Sequence, residues 1–555
     1  MSFEHPQLFR RKPCPNAEKR LQAEGITPLA ARVLSARGVN NSDDIVPALR
    51  RLPPPSDLPG AESAACELAA AITASQKICV VGDYDVDGMT ATAIAVDCLT
   101  FLGADVDWLI PRRCAGYGLS SALAEEAARR GANWILTVDN GICATSGIAK
   151  AQALGMKVCV SDHHRFGPKP PLADCIVHPA LNKTVTPLSN LVGVGVVFYL
   201  MAALRARLNV DCDMSQYLDL TALGTIADCA PMDEVNRTLV GGGLRRLRAG
   251  AGRIGLMALT RRAKRDIGTL GTSDLGYALA PRLNAAGRLD NVDDAMQCLL
   301  ADNETTADAA VRRLEKHNGQ RIVLQNQALK ELRATLPDTL PAGIVKFNDS
   351  WHLGVIGIVA GVISADTGRP TLVFAGTGDG HWRGSRLAPD GWDLFALIQE
   401  IDKNNPGLLL GFGGHAGAVG VNLEYSGEKH LEELFASACA AAKKPTKPGW
   451  EVDETPMTEE ITKAAVLQIG EMVWGRGFPP PLFAERFSVS DELAVRGGHR
   501  KLKLGLNGSS FRAVHFNASP TGKKCLDARF SAGFNRYYGE VELVIEAELP
   551  PCLNC

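Results

Sequence analysis

The sequence predicts a multidomain α/β protein whose first large domain is built on a parallel β-sheet, and three observations carry that prediction. Between Gln76 and Pro179, short unbroken apolar runs alternate with helical stretches, the pattern of strands buried on both faces and joined by helices. From Leu218 to about Leu340 the pattern is mostly helical, and strands and helices return with Gly-rich turns between Ile344 and Val421. Beyond a lysine- and proline-bearing stretch at 443–449, short alternating runs such as 501–506 and 511–516 suggest a small β barrel. A length of 555 residues agrees with three or four domains at about 150 residues each.

In chain order, the LPPP stretch at 52–55 closes an N-terminal helical segment, 1–60. The first strand is expected at 77–82, followed by a helix at 90–102, a strand at 106–110, a helix at 122–130 and a strand at 134–138. A helix at 146–154 leads to strands at 158–160 and 175–177. The α/β domain therefore covers 61–230, a helical connector 231–340, a smaller α/β domain 341–442 and the barrel 450–555.

The chain carries 59 Lys and Arg against 61 Asp and Glu, which excludes a globally basic coat but not local basic channels. No apolar signal segment opens the chain, and the most apolar stretch, 191–204, is short for a membrane span and fits a buried helix. The 15 cysteines sit singly, many within apolar strands, and read as reduced thiols of a cytoplasmic protein. The one CxxC, Cys552 to Cys555, has no second pair near it and is read as a tail, not a zinc site.

Ligands of open parallel sheets bind at the carboxyl ends of the strands, and here those ends are acidic. The first strand runs into Asp83-Tyr84-Asp85-Val86-Asp87-Gly88, the third into Asp139-Asn140-Gly141 and the fourth into Asp162-His163-His164, while Asp228 follows an apolar helical run. A single Asp in such a place is usually a helix cap, but several clustered carboxylates are costly unless cations neutralise them. Asp83, Asp85, Asp139 and Asp228 carry four negative charges, which two divalent cations balance. A carboxylate-rich set with imidazoles suits Mn²⁺ or Mg²⁺, and two such ions suit phosphoryl displacement. An EF-hand fails because its twelfth position is Ile94 and a strand precedes the loop; a dinucleotide fold fails because the first turn lacks G-x-G-x-x-G.

GDYDVDG, TVDNG, SDHH and GTIAD, in this order and spacing, resemble the DHH phosphoesterase superfamily. With LDLTALGTIADCAPMDEVNR, PRLNAAGRLD, WHLGVIGIVAG and GFGGHAGAVG added, the chain looks like a bacterial RecJ-type single-strand-specific exonuclease over most of its length. The resemblance implies a DHH domain, a DHH-associated domain and an OB-type barrel. It further implies that Asp83, Asp85, Asp139, His163 and Asp228 bind metal, with Asp139 shared by both ions, and that His164 touches the scissile phosphate or the attacking water. Asp87 and Asp162 would hold the loop and an imidazole by hydrogen bonds, although Asp87 reads equally well as a helix cap. Two departures stand out: Val81-Gly82 replaces the histidine that some relatives carry before the first Asp, and Arg383-Gly384-Ser385-Arg386 is one residue shorter than the usual motif.

Arg282, Asn284, Arg288, Ser385, Arg386 and His415 are the candidate substrate contacts; the arginines could equally brace the helical region. The acid-free run 245–265 reads first as a solvated helix face. Arg496, Arg500, Lys501, Lys503 and Arg512 interleave with Phe511, Phe516 and Tyr537, the make-up of a single-strand platform. The expected activity is two-metal 5′→3′ hydrolysis of single-stranded DNA to 5′-mononucleotides, with a single-strand-binding protein and a helicase as partners by resemblance. The alternatives are a DHH phosphodiesterase of short oligonucleotides or cyclic dinucleotides, and a non-catalytic scaffold of the same fold.

Overall fold

The computed structural model describes residues 8–113, 116–167, 169–182, 185–389, 391–414, 418–442 and 449–549. They fall into two compact units, one of Met1–Leu109, Gly118–Ala280 and Gly449–Cys555, the other of Ile110–Tyr117 and Pro281–Pro448. The linker expected at 443–448 and the Cys552–Cys555 pair lie outside the described residues.

The first unit opens with β1 (Leu8–Arg11), α1 (Pro15–Ala23) and α2 (Pro28–Ser35), both helices beginning on a proline, whose missing N–H has no intrahelical partner to lose there. After α3 (Ala61–Thr73) come β2 (Ile78–Val81), α4 (Val86–Phe101), β3 (Val106–Leu109), α5 (Ser121–Arg129), β4 (Trp134–Val138), α6 (Thr145–Ala153), β5 (Lys157–Ser161) and β6 (Cys175–Val177). The five strands β2 to β6 form a parallel sheet in the order β3-β2-β4-β5-β6. Ala124 and Ala127 of α5 and Ile148 and Ala151 of α6 pack on one face against Cys79, Val81, Ile135, Val158 and Val160. The apolar stretch after 190 becomes α7 (Gly193–Leu208), which packs with α3 and α4 and is buried along most of its length. No helix among the described residues is long and apolar enough to cross a membrane. The strand order reverses between β2 and β4, and it is at such a switch point that a crevice opens beyond the strand ends.

A helical stretch follows, with α8 (Leu218–Ala227), α9 (Glu234–Arg248), α10 (Ile254–Arg262) and the single turn α11 (Thr272–Asp274). The chain enters the second unit through α12 (Ala280–Arg288), α13 (Val292–Leu299) and α14 (Glu304–Ala334). There β7 (Ile344–Asn348), α15 (Ile356–Thr367), β8 (Thr371–Gly376), β9 (His381–Leu387), α16 (Leu394–Asn404), β10 (Leu409–Gly414), β11 (Ala418–Glu424) and α17 (Glu428–Ala441) make a mixed sheet of order β10-β11-β9-β8-β7. Side chains on β8 alternate: Leu372 and Phe374 meet α16 and α17, whereas Val373 and Ala375 meet α14 and α15.

The chain then returns to the first unit. β12 (Trp450–Asp453) pairs in parallel with β1, so the N-terminal strand and the segment that leads into the barrel share a sheet. Arg37 donates to both carboxylate oxygens of Asp453 at 2.7 and 2.9 Å, and Arg32 to both of Glu460 at 2.7 Å. Thr27 donates through N and Oγ1 to Gln468 in α18 (Lys463–Gly470). The N-terminal segment, expected as a separate helical piece, is thus clamped to the stretch that precedes the barrel. The barrel itself closes in the order β13-β14-β15-β17-β16 from β13 (Phe483–Val495), β14 (His499–Leu506), β15 (Ser509–His515), β16 (Cys525–Asn535) and β17 (Glu540–Glu548). One expectation is corrected here. Arg500 does not belong to an exposed platform: it is 1% exposed and held by Glu492, Glu548 and His515 inside the barrel wall.

The Arg37–Asp453 pair is nearly fully buried on both sides. Arg37→Met therefore leaves the buried carboxylate with only Arg11 at 3.7 Å and the Leu482 N–H among the described residues, and is expected to lower stability by about 3 kcal/mol in urea unfolding. A companion Asp453→Leu change should restore much of that loss.

Candidate metal centre and strand-binding surfaces

Asp83 stands two residues beyond β2 and Asp139 directly beyond β4, so the two central strands deliver them to the switch point, both 1% exposed. Asp85 caps α4 by accepting from Gly88 N at 3.1 Å. Asp87, in the first turn of α4, does not cap its own helix. Its two oxygens accept from Gly193 N at 2.7 Å and Val194 N at 2.8 Å, which caps the start of α7. Asp228 ends α8 and reaches the same crevice with its side chain 38% exposed.

The packing leaves no room for side chains larger than hydrogen at three points. A Cβ at Gly88 would lie 2.6 Å from Asp83 Cβ, one at Gly193 2.4 Å from Asp139 Cβ, and one at Gly224 3.0 Å from Asp87 Oδ1. Asp139 itself holds a left-handed φ of 61°, a strained state of the kind that clusters at functional sites. Asn140 Nδ2 donates to the carbonyls of Val81 and Val138, tying the ends of β2 and β4 together.

The imidazoles come from the loop after β5. His163 Nε2 lies 3.1 Å from Asp139 Oδ1, 3.8 Å from Asp87 Oδ2 and 4.0 Å from Asp228 Oδ2. Asp162 Oδ1 accepts from the backbone N–H of His163 and His164 and from His164 Nδ1 at 2.8 Å, while its Oδ2 accepts from Ile142 N. His178, just beyond β6, donates through Nε2 to the His164 carbonyl at 2.9 Å and accepts Ala180 N at Nδ1. Sequence reasoning gave no role to His178 or to Asn140; His178 sits directly beyond β6 and Asn140 one residue after Asp139, the signal that identified their neighbours.

Burial and then the charges of neighbouring carboxylates push Asp87 and Asp139 well above the usual range. Burial, with the charge of Asp85, raises Asp228 to about 7. Although burial opposes ionisation, the His164 contact holds Asp162 down at about 2, and the same partnership raises His164 to about 9. Three donor sets have all their atoms within 4.8 Å of one another: Asp83, Asp85 and Asp139; Asp139, His163 and His164; Asp87, His163 and Asp228. Asp139 belongs to two of these sets and His163 to two. Hard carboxylate oxygens in excess over imidazole nitrogens fit Mn²⁺ or Mg²⁺.

The proposed substrate residues that the structure describes lie in the second unit. Arg282 pairs with Glu315 at 2.8 Å, Asn284 is half-buried on the same helix, and Arg288 donates to the Gly354 carbonyl at 3.1 Å. Arg288, Arg113, Asp290, Trp351 and His352 line a cavity of about 200 Å³. Arg113, which sequence reasoning did not single out, follows β3 closely, and that position was its available signal. Ser385 lies within β9, where a Cβ on Gly357 of α15 would come 2.8 Å from its Oγ; Arg386 is the next residue of that strand. His415 lies outside the described residues. On the barrel, Tyr537 is 88% exposed, and Tyr538 lies beneath Arg512 at 4.2 Å and Lys501 at 5.4 Å.

Three protein-family models match the chain: the DHH family, N-terminal domain, over 77–225, the DHHA1 domain over 341–444 and the RecJ OB domain over 452–548. The single-stranded-DNA-specific exonuclease RecJ of Escherichia coli is 38% identical over 519 residues, covering 90% of this chain and 89% of that protein. The Bacillus subtilis exonuclease of the same name is 31% identical over 89% of this chain and 63% of its own length. The crystal structure of RecJ in complex with Mn²⁺ from Thermus thermophilus superposes with a TM-score of 0.84 at 28% identity, over 98% of this chain and 79% of that one. With the acidic crevice, the associated mixed sheet and the closed barrel in one chain, these likenesses establish that it belongs to the RecJ family of single-stranded-DNA-specific exonucleases.

Proposed function

We propose that the acidic crevice holds two divalent cations, Mn²⁺ or Mg²⁺, and hydrolyses single-stranded DNA from its 5′ end to 5′-mononucleotides. The observation that carries this reading is the convergence of carboxylates and imidazoles from four separate chain segments, with Asp139 common to two donor sets. Relatives of this chain have been crystallised with Mn²⁺ and with Mg²⁺. Asp83, Asp85 and Asp139 would hold one ion, and Asp139, His163 and Asp228 the other. Bound there, the pair supplies Lewis acidity that activates water and offsets charge on the phosphoryl oxygens.

The remaining work falls to the chain's own groups. Asp162 fixes the ring of His164 through Nδ1, so that Nε2 is the atom offered to a phosphate oxygen or to water. Asp87 anchors α7 and, through it, the glycine that lets Asp139 sit close. Arg282, Asn284, Arg288, Ser385, Arg386 and His415 are assigned to the strand itself, with Arg113 and Arg288 giving the cavity of the second unit the guanidinium forks that phosphate oxygens match. Tyr537 and Tyr538, flanked by Lys501 and Arg512, offer stacking and charge without sequence preference. A single-strand-binding protein and a helicase are the partners that would present such strands, in the cytoplasm where the chromosome lies.

Asn tolerates the left-handed backbone at 139, so Asp139→Asn tests the chemistry without disturbing the turn. Digestion of end-labelled single-stranded DNA with Mn²⁺ should slow by about 10³-fold or more in that variant. A 5′ block should stop the wild type where a 3′ block does not; the reverse result, or near-normal digestion by the variant, would refute the assignment.

Raised carboxyl values in the fold also fix a sign. Asp228, Asp87 and Asp139 bind protons more tightly folded than unfolded, so with respect to these groups the metal-free protein loses stability as pH rises from the ordinary carboxyl range to about 7. Cations take the place of those protons. Added Mn²⁺ should therefore raise the melting temperature more at pH 8 than at pH 6, and an equal rise at both would contradict the site.

A further inference from the structure

The acid-free run 245–265 is only partly consumed by packing. Arg248 donates to the carbonyls of Leu270 and Glu471, and Arg253 pairs with Asp97 at 2.7 Å. Its far end is different. α10 closes with exposed Arg261 and Arg262, and the turn beyond carries exposed Lys264, at a φ of 55°, and Arg265. Arg536, in the turn between β16 and β17, bonds to Thr269 and pairs with Asp266. The residue after Arg536 is Tyr537, the most exposed aromatic of the barrel face. Arg262 and Asp266 are four residues apart, so their backbones lie within about 14 Å.

We infer that the C-terminal turn of α10 and the loop after it form a phosphate-binding ledge that carries single-stranded DNA onward from the barrel's aromatic face. Arg262, Lys264, Arg265 and Arg536 gather there with Asp266 and Asp274, an excess of two positive charges among these described residues on a chain whose net charge is -2. The arginines of the ledge's ion pairs are half exposed, Arg265 to Asp274 at 3.4 Å being one such pair, and pairs open to solvent hold their cations weakly. A polyanion can exchange with them. Lys463 over Phe534 at 4.7 Å extends the same mixture of charge and aromatic surface on the barrel side. Basic groups that track a backbone beside rings that stack bases are what sequence-independent single-strand binding requires.

The inference rests on the single-strand reading above, and its test is kept separate from catalysis. The probes are dT60 and dT10, with the full-length protein in EDTA so that nothing is cut, and anisotropy is read across a KCl series. Arg262→Glu with Lys264→Glu should weaken dT60 binding about tenfold and lessen the salt slope by about 1.4, two phosphate contacts at about 0.7 each. Arg262→Gln with Lys264→Gln should act in the same direction and less strongly, and the loss on dT10 should be smaller than on dT60. Lys19→Glu with Arg20→Glu, an equal change of charge on α1, should leave affinity and slope as in the wild type. Unchanged affinity and slope in the ledge variants, or equal weakening by the α1 control, overturns the ledge. Loss of Mn²⁺-dependent digestion by the wild type, with the ledge effect intact, would instead overturn the nuclease reading alone.

Discussion

Everything in the first unit answers to one electrostatic constraint: carboxylates that repel one another are delivered to a single crevice and kept there. Asp83 and Asp139 are almost wholly buried, and Asp87 and Asp139 are held far above ordinary carboxyl behaviour by burial and then by neighbouring carboxylates, Asp228 and Asp85 on Asp87 and Asp87 and Asp85 on Asp139. Such an arrangement costs free energy in a bare protein. Divalent cations reverse the sign of that cost, and the donor chemistry is the kind they prefer. Stability and catalysis are therefore coupled through the same atoms.

The surrounding fold is arranged to hold that geometry. Glycines at 88, 193 and 224 let helices approach the acids to distances no side chain would permit. Asp139 accepts a left-handed backbone, and Asn140 ties the two strand ends beside it. Asp87 caps α7, and the dipole of that helix in turn favours the negative charge. Asp162 and His178 grip His164 from its ring and its carbonyl, so the imidazole loop is oriented before any substrate arrives.

A second constraint is mechanical. The N-terminal segment and the stretch after residue 449 are joined by a parallel strand pair and by buried bidentate arginines. The barrel is thereby part of the same compact unit as the acidic crevice, instead of a module on a tether.

Much of this was legible without coordinates. The parallel sheet follows from unbroken apolar runs such as 78–81 and 134–138, because a strand covered on both faces has no polar side to alternate. The acids at its strand ends followed from the same period, and the barrel strands from the two-residue alternation at 501–506, which lies within β14. Arg500 misled, since a basic residue in a basic, aromatic neighbourhood reads as surface until its partners Glu492 and Glu548 are seen. Asp87 was open between supporting the site loop and capping its own helix, and its actual partners, Gly193 and Val194 at the start of α7, lie a hundred residues on, where one dimension does not show them. The sequence by itself determined the elements and the chemical character of the crevice, since periodicity and residue type are local. Only the tertiary structure decided which carboxylates share an imidazole, which arginines are consumed in ion pairs and which chain end clamps the barrel, because those depend on distances between residues far apart in the chain.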